Sequence, residues 1–459
     1  MNRIAPPPPL PLENEVSDSR RAPRFVWGRQ LLVAIVITGL AMTLVSLYVS
    51  EFRALSPYDE FAHIDYVDKI SQGRIVRRGD VVGQQALHQL FCRGVARFTV
   101  EDVACTSPGS YDPRLSPFGG VNTADVHPPL YYLLTSWAAR GIAAVTGVSD
   151  FVDRARLVGG LWLALGLIAL WHAARSLRMS ISNRLSILAL VATSPIVLLG
   201  SATVNPDATA ILAGGAILLA AVLWEEARAP LWVLAVAAAL AVALKATNSM
   251  ASLAAATYLV FRLYGVRHRG LGRNEPFRSP RQYVAGMVTV VGTSLAVIFA
   301  WAWIRGGIAV TATNVMVEEL RVERLSLEIV LSHAAHFMTP LSGSLLAALE
   351  SPATVLVLAL LEATIIAVCL GAIFRGDEMD RPRALALTGA VVMLFGATIL
   401  VLSGYFFNSG LALVQPRYGL SFVPFLMAAV GSVVRNRVAA WALVALAASS
   451  TWLAFVLLT

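Results

Sequence analysis

The sequence predicts an all-α, polytopic membrane protein of about eleven transmembrane helices, with interfacial helices in the first external loop. Three observations carry this reading. Of 459 residues, 57% are hydrophobic and only 14% charged; mean hydropathy is +0.68; and apolar runs long enough to cross a hydrocarbon layer recur along the whole chain. The net charge of +8 is almost entirely arginine, with Lys69 and Lys245 as the lysines. Such an excess orients helices in a bilayer; no basic face with aromatic platforms suggests nucleic acid.

Residues 1–30 read as a disordered cytoplasmic tail, because the run Pro6 to Pro9 and the mixed charges through Arg24 lack the plan of a cleavable signal. Hydropathy then places spans at Leu31 to Tyr48, Ala155 to Ala174, Leu185 to Ser201, Ala208 to Trp224, Leu231 to Leu244 and Met250 to Leu263. Further spans follow at Tyr283 to Trp303, Ala353 to Phe374, Ala384 to Leu402, Tyr418 to Val434 and Val438 to Leu457. The segment Pro128 to Gly147 is apolar enough to cross, but crossing would put the most basic loop, Arg262 to Arg281, outside. Read as an interfacial or partly inserted helix, it leaves the arginine-rich loops on the side of the N-terminus, so the N-terminus is cytoplasmic and the C-terminus external.

The organisation that results is an N-terminal catalytic membrane module, 31–264, with an external loop, 51–154. A basic cytoplasmic loop, 265–282, joins it to a C-terminal module, 283–459, with an external loop, 304–352. In the first loop Phe61, Ile64, Val67 and Ile70 recur at helical spacing opposite Asp65, Asp68 and Lys69, which reads as an amphipathic helix lying on the bilayer. Glu318 to Leu331 has a similar pattern. Cys92 and Cys105 share the first loop and, in an oxidising exterior, would pair to stabilise it by about 3 kcal/mol; two free thiols are the alternative.

The chemistry-bearing residues gather on the external side. An acidic pair, Asp59-Glu60, follows the first span, with His63 just beyond. Asp125-Val126-His127-Pro128-Pro129 precedes the interfacial segment, and Arg154 and Arg156 open the second span. Asn205-Pro206-Asp207 starts a later helix, Lys245 ends another, and Gln415-Pro416-Arg417-Tyr418 leads into a third. Charges beside hydrocarbon are costly and usually face a substrate, an ion or a partner charge. His333 and His336 share a helical face, which with the acidic pair leaves a divalent metal ion open as a cofactor. No phosphate-cradling glycine loop, nucleophile elbow or zinc-spaced cysteine set is present.

In order and sidedness these elements resemble the GT-C superfamily of integral-membrane glycosyltransferases, from about Leu31 to Val434. The acidic pair and His-Pro-Pro element are similar to those of protein O-mannosyltransferases and lipid A aminoarabinose transferases. A Gln-x-Arg-Tyr motif beside the acidic pair is similar to that of a poorly characterised bacterial membrane family.

The resemblance implies inverting transfer of a sugar from a polyprenyl-phosphate donor, in the lipid bilayer of a bacterial cytoplasmic membrane, to a cell-envelope glycan, protein or lipid. Asp59 is then the candidate base and Glu60 the alternative. Arg417, Lys245, Arg154 and Arg156 are candidates for the donor phosphate, Lys245 also for pairing with Asp207. His63, Asp125, His127, Asn205, Asp207, Gln415 and Tyr418 are candidates for substrate contacts. A lipid-linked-saccharide flippase or transporter, and a polysaccharide polymerase or ligase, are the alternatives; a transporter would need its charges near the bilayer midplane.

Overall fold

The computed structural model describes residues 23–57, 59–96, 103–269, 278–312, 314–339, 341, 352–375, 379–407, 410, 414–434 and 436–458. The first 22 residues of the expected tail, residues 270–277 of the basic loop and residues 342–351 of the second external loop lie outside them.

A long apolar run, preceded by Arg24, Arg29 and Gln30, forms most of α1 (Pro23–Glu51). The loop that follows folds around α2 (Glu60–Ser71) and α3 (Gln84–Arg93). It has an apolar core of its own, including Leu55, Phe61, Tyr66, Leu87, Leu90 and Tyr132, and a Cys92–Cys105 disulfide. Here the structure differs from an expectation: the face of α2 expected to be wet is covered. Asp65 and Lys69, expected on its wet face, are buried; they pair at 2.6 Å, and Asp65 also accepts from Asn122 Nδ2 at 2.6 Å and Gly83 N at 2.7 Å. The helix is a central strut of the loop.

Pro128 and Pro129 then admit α4 (Leu130–Thr146), which Gly147 ends in the left-handed conformation, φ 70°. At 17 residues α4 falls short of the helices that have the length and hydropathy of a span. α5 (Phe151–Ser176) starts on Asp150, which accepts from Asp153 N. The single span expected at Leu185 to Ser201 is instead two helices, α6 (Ile181–Ala192) and α7 (Pro195–Ala202), bent by 61°. Pro195 cannot donate to the helix before it, and Ser194 caps the new one through Val197 N.

A 3-10 turn, Pro206–Thr209, leads into α8 (Ala210–Glu225), followed by α9 (Leu231–Leu244), α10 (Ser249–Arg269) and α11 (Pro280–Gly307). The amphipathic pattern from Glu318 is split between α12 (Val315–Leu320) and α13 (Leu327–Ala334), not one helix. After α14 (Pro352–Phe374) and α15 (Arg381–Phe407), a 3-10 turn Pro416–Phe422 precedes the short α16 (Val423–Val433) and then α17 (Arg437–Leu458).

Among the described residues seven helices are long and apolar enough to cross a membrane, or eight with the bent pair as one span; Leu231–Leu244 and Arg437–Ser449 are shorter apolar helices. α8 is the inner helix, with 78% of its apolar window buried, whereas α11 has only 17% and α1 22%. The outer helices present large apolar side chains such as Leu31, Val288, Phe299, Trp303 and Phe395, a surface suited to lipid.

Candidate active site

Four breaks in the helical framework meet at one end of the bundle: the α1–α2 link, the loop before α4, the turn before α8 with the end of α9, and the turn before α16. Each break frees the backbone to place a polar side chain where a continuous helix would present an apolar one.

Asp59 heads α2 in the left-handed conformation, φ 58° and ψ 23°. Asp tolerates this better than most residues but at a cost of roughly 1 kcal/mol or more. The strain is held by its carbonyl, which accepts from Ala62 N at 3.0 Å and His63 N at 3.2 Å. Its side chain does not cap the helix. Burial pushes the Asp59 carboxyl above the ordinary carboxylate range, and the positive charge of Arg417 only partly opposes this.

Glu60 points the other way and is fully engaged. Its carboxylate accepts from Arg156 Nε at 2.8 Å, Arg156 Nη2 at 2.7 Å, Ser56 N at 2.7 Å and Val204 N at 2.8 Å. Burial would raise this carboxyl, but Arg156 and the two backbone donors outweigh it and hold it below the ordinary range. Arg156 also donates to Phe52 O at 2.7 Å and Ala54 O at 2.8 Å. Glu60 and Arg156, expected as the alternative base and as a phosphate ligand, spend these acceptors and donors on each other and on backbone groups. Together they anchor the Asp59 link to α5 and to the α7–α8 connection. Arg154 donates through Nε to Asp150 O at 3.2 Å at the start of its own helix.

On the far side of the site Asn205 Oδ1 accepts from Asp207 N at 2.9 Å, fixing the turn that carries Asp207. Asp207 holds two cations, Lys245 Nζ through one oxygen and Arg417 Nε, at 2.9 Å, through the other. The ring of Tyr418 lies 4.9 Å from Lys245 Nζ and 5.5 Å from Arg417 Cζ, within cation–π range. Gln415 begins the turn and sets its entry.

Within reach of the charges of Lys245 and Arg417 stand two histidines with ring centroids 5.5 Å apart, His63 and His127. Burial, then the charges of Lys245 and Arg417, keep His63 well below its ordinary pKa. Burial and the charges of Lys245, His63, Arg417 and Arg305 do the same to His127. Both are neutral imidazoles at physiological pH. His63 Nδ1 and Tyr132 Oη share a hydrogen bond of 2.8 Å, and Tyr132 stacks on Tyr66 at 3.8 Å. Asp125 is taken by Arg305 Nε at 2.6 Å.

The structure thus brings Asp59, His63, His127, Asp207, Lys245, Arg417 and Tyr418 into one neighbourhood. It adds Tyr132, Tyr66 and Arg305, which sequence reasoning missed; Arg305 stands two residues past the expected end of its span, a signal that was available. His333 and His336 spend their Nδ1 atoms on Ile329 O and Val414 O. Among the described residues the one group of three metal-ligand types is His88, Cys92 and Cys105, whose two sulfurs are joined in the disulfide.

Residues 126–305 match the family model described as dolichyl-phosphate-mannose-protein mannosyltransferase. That stretch contains His127, Asp207 and Lys245 and leaves Asp59 and Arg417 outside. Among solved structures, the crystal structure of the Archaeoglobus fulgidus oligosaccharyltransferase in the apo form is similar at 14% identity, with a TM-score of 0.43. The alignment covers 88% of this chain and 50% of that one, so the chain spans half the length of that enzyme. Among curated proteins none matches. Over residues 126–305 the chain is therefore similar to a mannosyltransferase family of the GT-C superfamily, within an all-helical, multi-pass membrane protein.

Proposed function

We propose that the protein is an inverting glycosyltransferase that moves a sugar from a polyprenyl-phosphate donor to an acceptor hydroxyl on the external face of the cytoplasmic membrane. The observation that carries this reading is the contrast within the acidic pair. Glu60 is saturated by Arg156 and backbone donors, whereas Asp59 is held in a strained backbone conformation, with raised basicity, facing Arg417.

In the step proposed, Asp59 takes the proton of the acceptor hydroxyl as its oxygen attacks the anomeric carbon from the face opposite the phosphate. The bond from anomeric carbon to phosphate oxygen breaks, and its electron pair leaves with the polyprenyl phosphate. One negative charge thereby passes from Asp59 to the phosphate, towards Lys245 and Arg417. These cations answer one carboxylate, Asp207, so the field is in place before the reaction begins. The neutral imidazoles of His63 and His127 supply hydrogen bonds to sugar or acceptor without adding charge. A divalent ion, if one takes part, would have Asp59 as its available carboxylate.

The test is turnover of a panel of radiolabelled polyprenyl-phosphate sugars by the purified protein in nanodiscs. Release or transfer of one sugar is the expected result and identifies the donor. Lipid binding and movement of label across the bilayer, with no glycosidic bond broken, would replace transfer by the flippase reading.

A further inference from the structure

Four buried polar atoms without a hydrogen-bond partner among the described residues gather where the His127 loop meets α11: Tyr66 Oη, Arg78 Nε, His127 Nδ1 and Arg305 Nη2. Buried polar atoms are nearly always paired, so four such atoms in one place call for something that engages them.

Their neighbourhood is tightly built. Arg305 Nε donates to Asp125 at 2.6 Å, and Trp301 Nε1 to Val126 O at 3.2 Å, so the end of α11 is bolted to the residues just before His127. The Arg78 loop is bolted to the same element, through Val310 N to Arg78 O at 2.9 Å. Next to it Gly79, at φ 89°, lies so close to Thr311 that an added Cβ would stand 2.7 Å from the threonine hydroxyl. Asp125 feels both guanidiniums, and Tyr66 feels the charge of Asp125. Tyr66 stacks on Tyr132, the partner of His63, which connects the cluster to the Asp59 centre.

The charge balance is positive. Among the described residues Arg77, Arg78 and Arg305 stand against Asp80 and Asp125, three guanidiniums to two carboxylates, with Asp80 held by Arg77 at 3.1 Å and by the Arg77 backbone N–H at 2.8 Å. Each of the four atoms is a donor, or in one tautomer becomes one, so the matching ligand is rich in acceptors and negative.

We propose that Arg78 and Arg305, with Tyr66 and His127, form a second oxyanion site, distinct from Arg417 and Lys245, that takes a phosphate or carboxylate. Assigning that anion to a substrate rests on the transfer reading. It is then either the donor's phosphate on the lipid side or an anionic group on the acceptor.

The experiment measures binding of two probes to the full-length protein in phosphatidylcholine nanodiscs: inorganic phosphate from solution and phosphatidic acid in the bilayer. Wild type, Arg78→Ala, Arg78→Lys and Arg417→Ala are compared, with thermal unfolding of each as a check on folding. Arg78→Ala is expected to weaken one probe by about tenfold or more, Arg78→Lys to recover part of it, and Arg417→Ala to leave that component in place. Loss of inorganic phosphate places the anion on the acceptor; loss of phosphatidic acid alone places it on the donor. Equal binding of both probes by wild type and Arg78→Ala, or loss in Arg417→Ala alone, overturns the site. Neither probe carries a sugar, so the result stands apart from whether any polyprenyl-phosphate sugar is turned over.

Discussion

The two ends of α8 each carry a buried carboxylate served by two basic side chains, and they differ in how completely the surroundings satisfy it. At the far end Glu225 accepts from Arg262 Nε at 2.6 Å, Tyr258 Oη at 2.7 Å, Tyr283 Oη at 2.8 Å and Arg381 Nε at 3.1 Å. Four donors from α10, α11 and α15 close both oxygens, so the cluster is a lock between helices. At the near end Asp207 has Lys245 and Arg417, and beside it stand a strained Asp59 and a histidine without a partner for Nδ1 among the described residues. A closed polar network fixes a fold, and an open one next to stored strain is poised to engage a ligand. The two lie about 27 Å apart along the chain's helical rise, close to the thickness of a hydrocarbon layer.

The largest expected effect separates the ends by activity. Asp59→Asn should lower turnover by about 10²–10⁴-fold, the usual weight of a general base, with thermal stability unchanged or higher. Turnover near that of wild type would remove Asp59 from the chemistry. Glu225→Gln should do the opposite, costing about 3–5 kcal/mol of stability because Arg262 and Arg381 lose a buried counter-charge. Turnover per folded molecule should hold. A folded, equally stable but inactive Glu225→Gln protein would erase the distinction between the two ends.

A smaller change tests whether the open end depends on helix approach. Gly214 of α8 lies so close to the turn carrying Arg417 that an added Cβ would stand 2.1 Å from Ser421 O. That contact is backbone and has no side chain to swing away. Gly214→Ala should cost about 1–3 kcal/mol through overpacking and raise KM for the donor by displacing Arg417 from Asp207. An unchanged KM in a destabilised protein would show that the turn tolerates the shift.

Much of the near end was legible in the sequence because its residues interrupt apolar runs: Asp59, Asp207, Lys245 and Arg417 each stand where hydropathy fails. What was not legible is which interrupting charges pair with one another. Glu60 and Arg156 are 96 positions apart in sequence, and only the fold shows that they occupy each other. The inward turn of Asp65 and Lys69 was hidden for a related reason, since helical periodicity marks two faces without saying that both are covered. Glu225 was hidden because an acid pair, Glu225-Glu226, at the end of an apolar run has the pattern of a wet helix terminus. Its four partners come from positions 258 to 381.

The smallest effect is a dependence on pH that only the open end should show. Asp59 titrates above its unfolded value of 3.8, so between the two values the folded protein binds more protons than the unfolded chain. Stability from this group therefore falls as pH rises through that window, and Asp59→Asn should remove the slope. The histidines act in the other direction. With folded pKa values well below 6.5, His63 and His127 favour the folded state less as pH drops below 6.5, because the unfolded chain takes up protons first. Activity should follow the same groups: kcat/KM rises with pH through the raised Asp59 pKa, with no further limb from an imidazole. Such a limb, if found and lost in His127→Gln, would mean that an imidazole exchanges a proton in the reaction and shares the role given to Asp59.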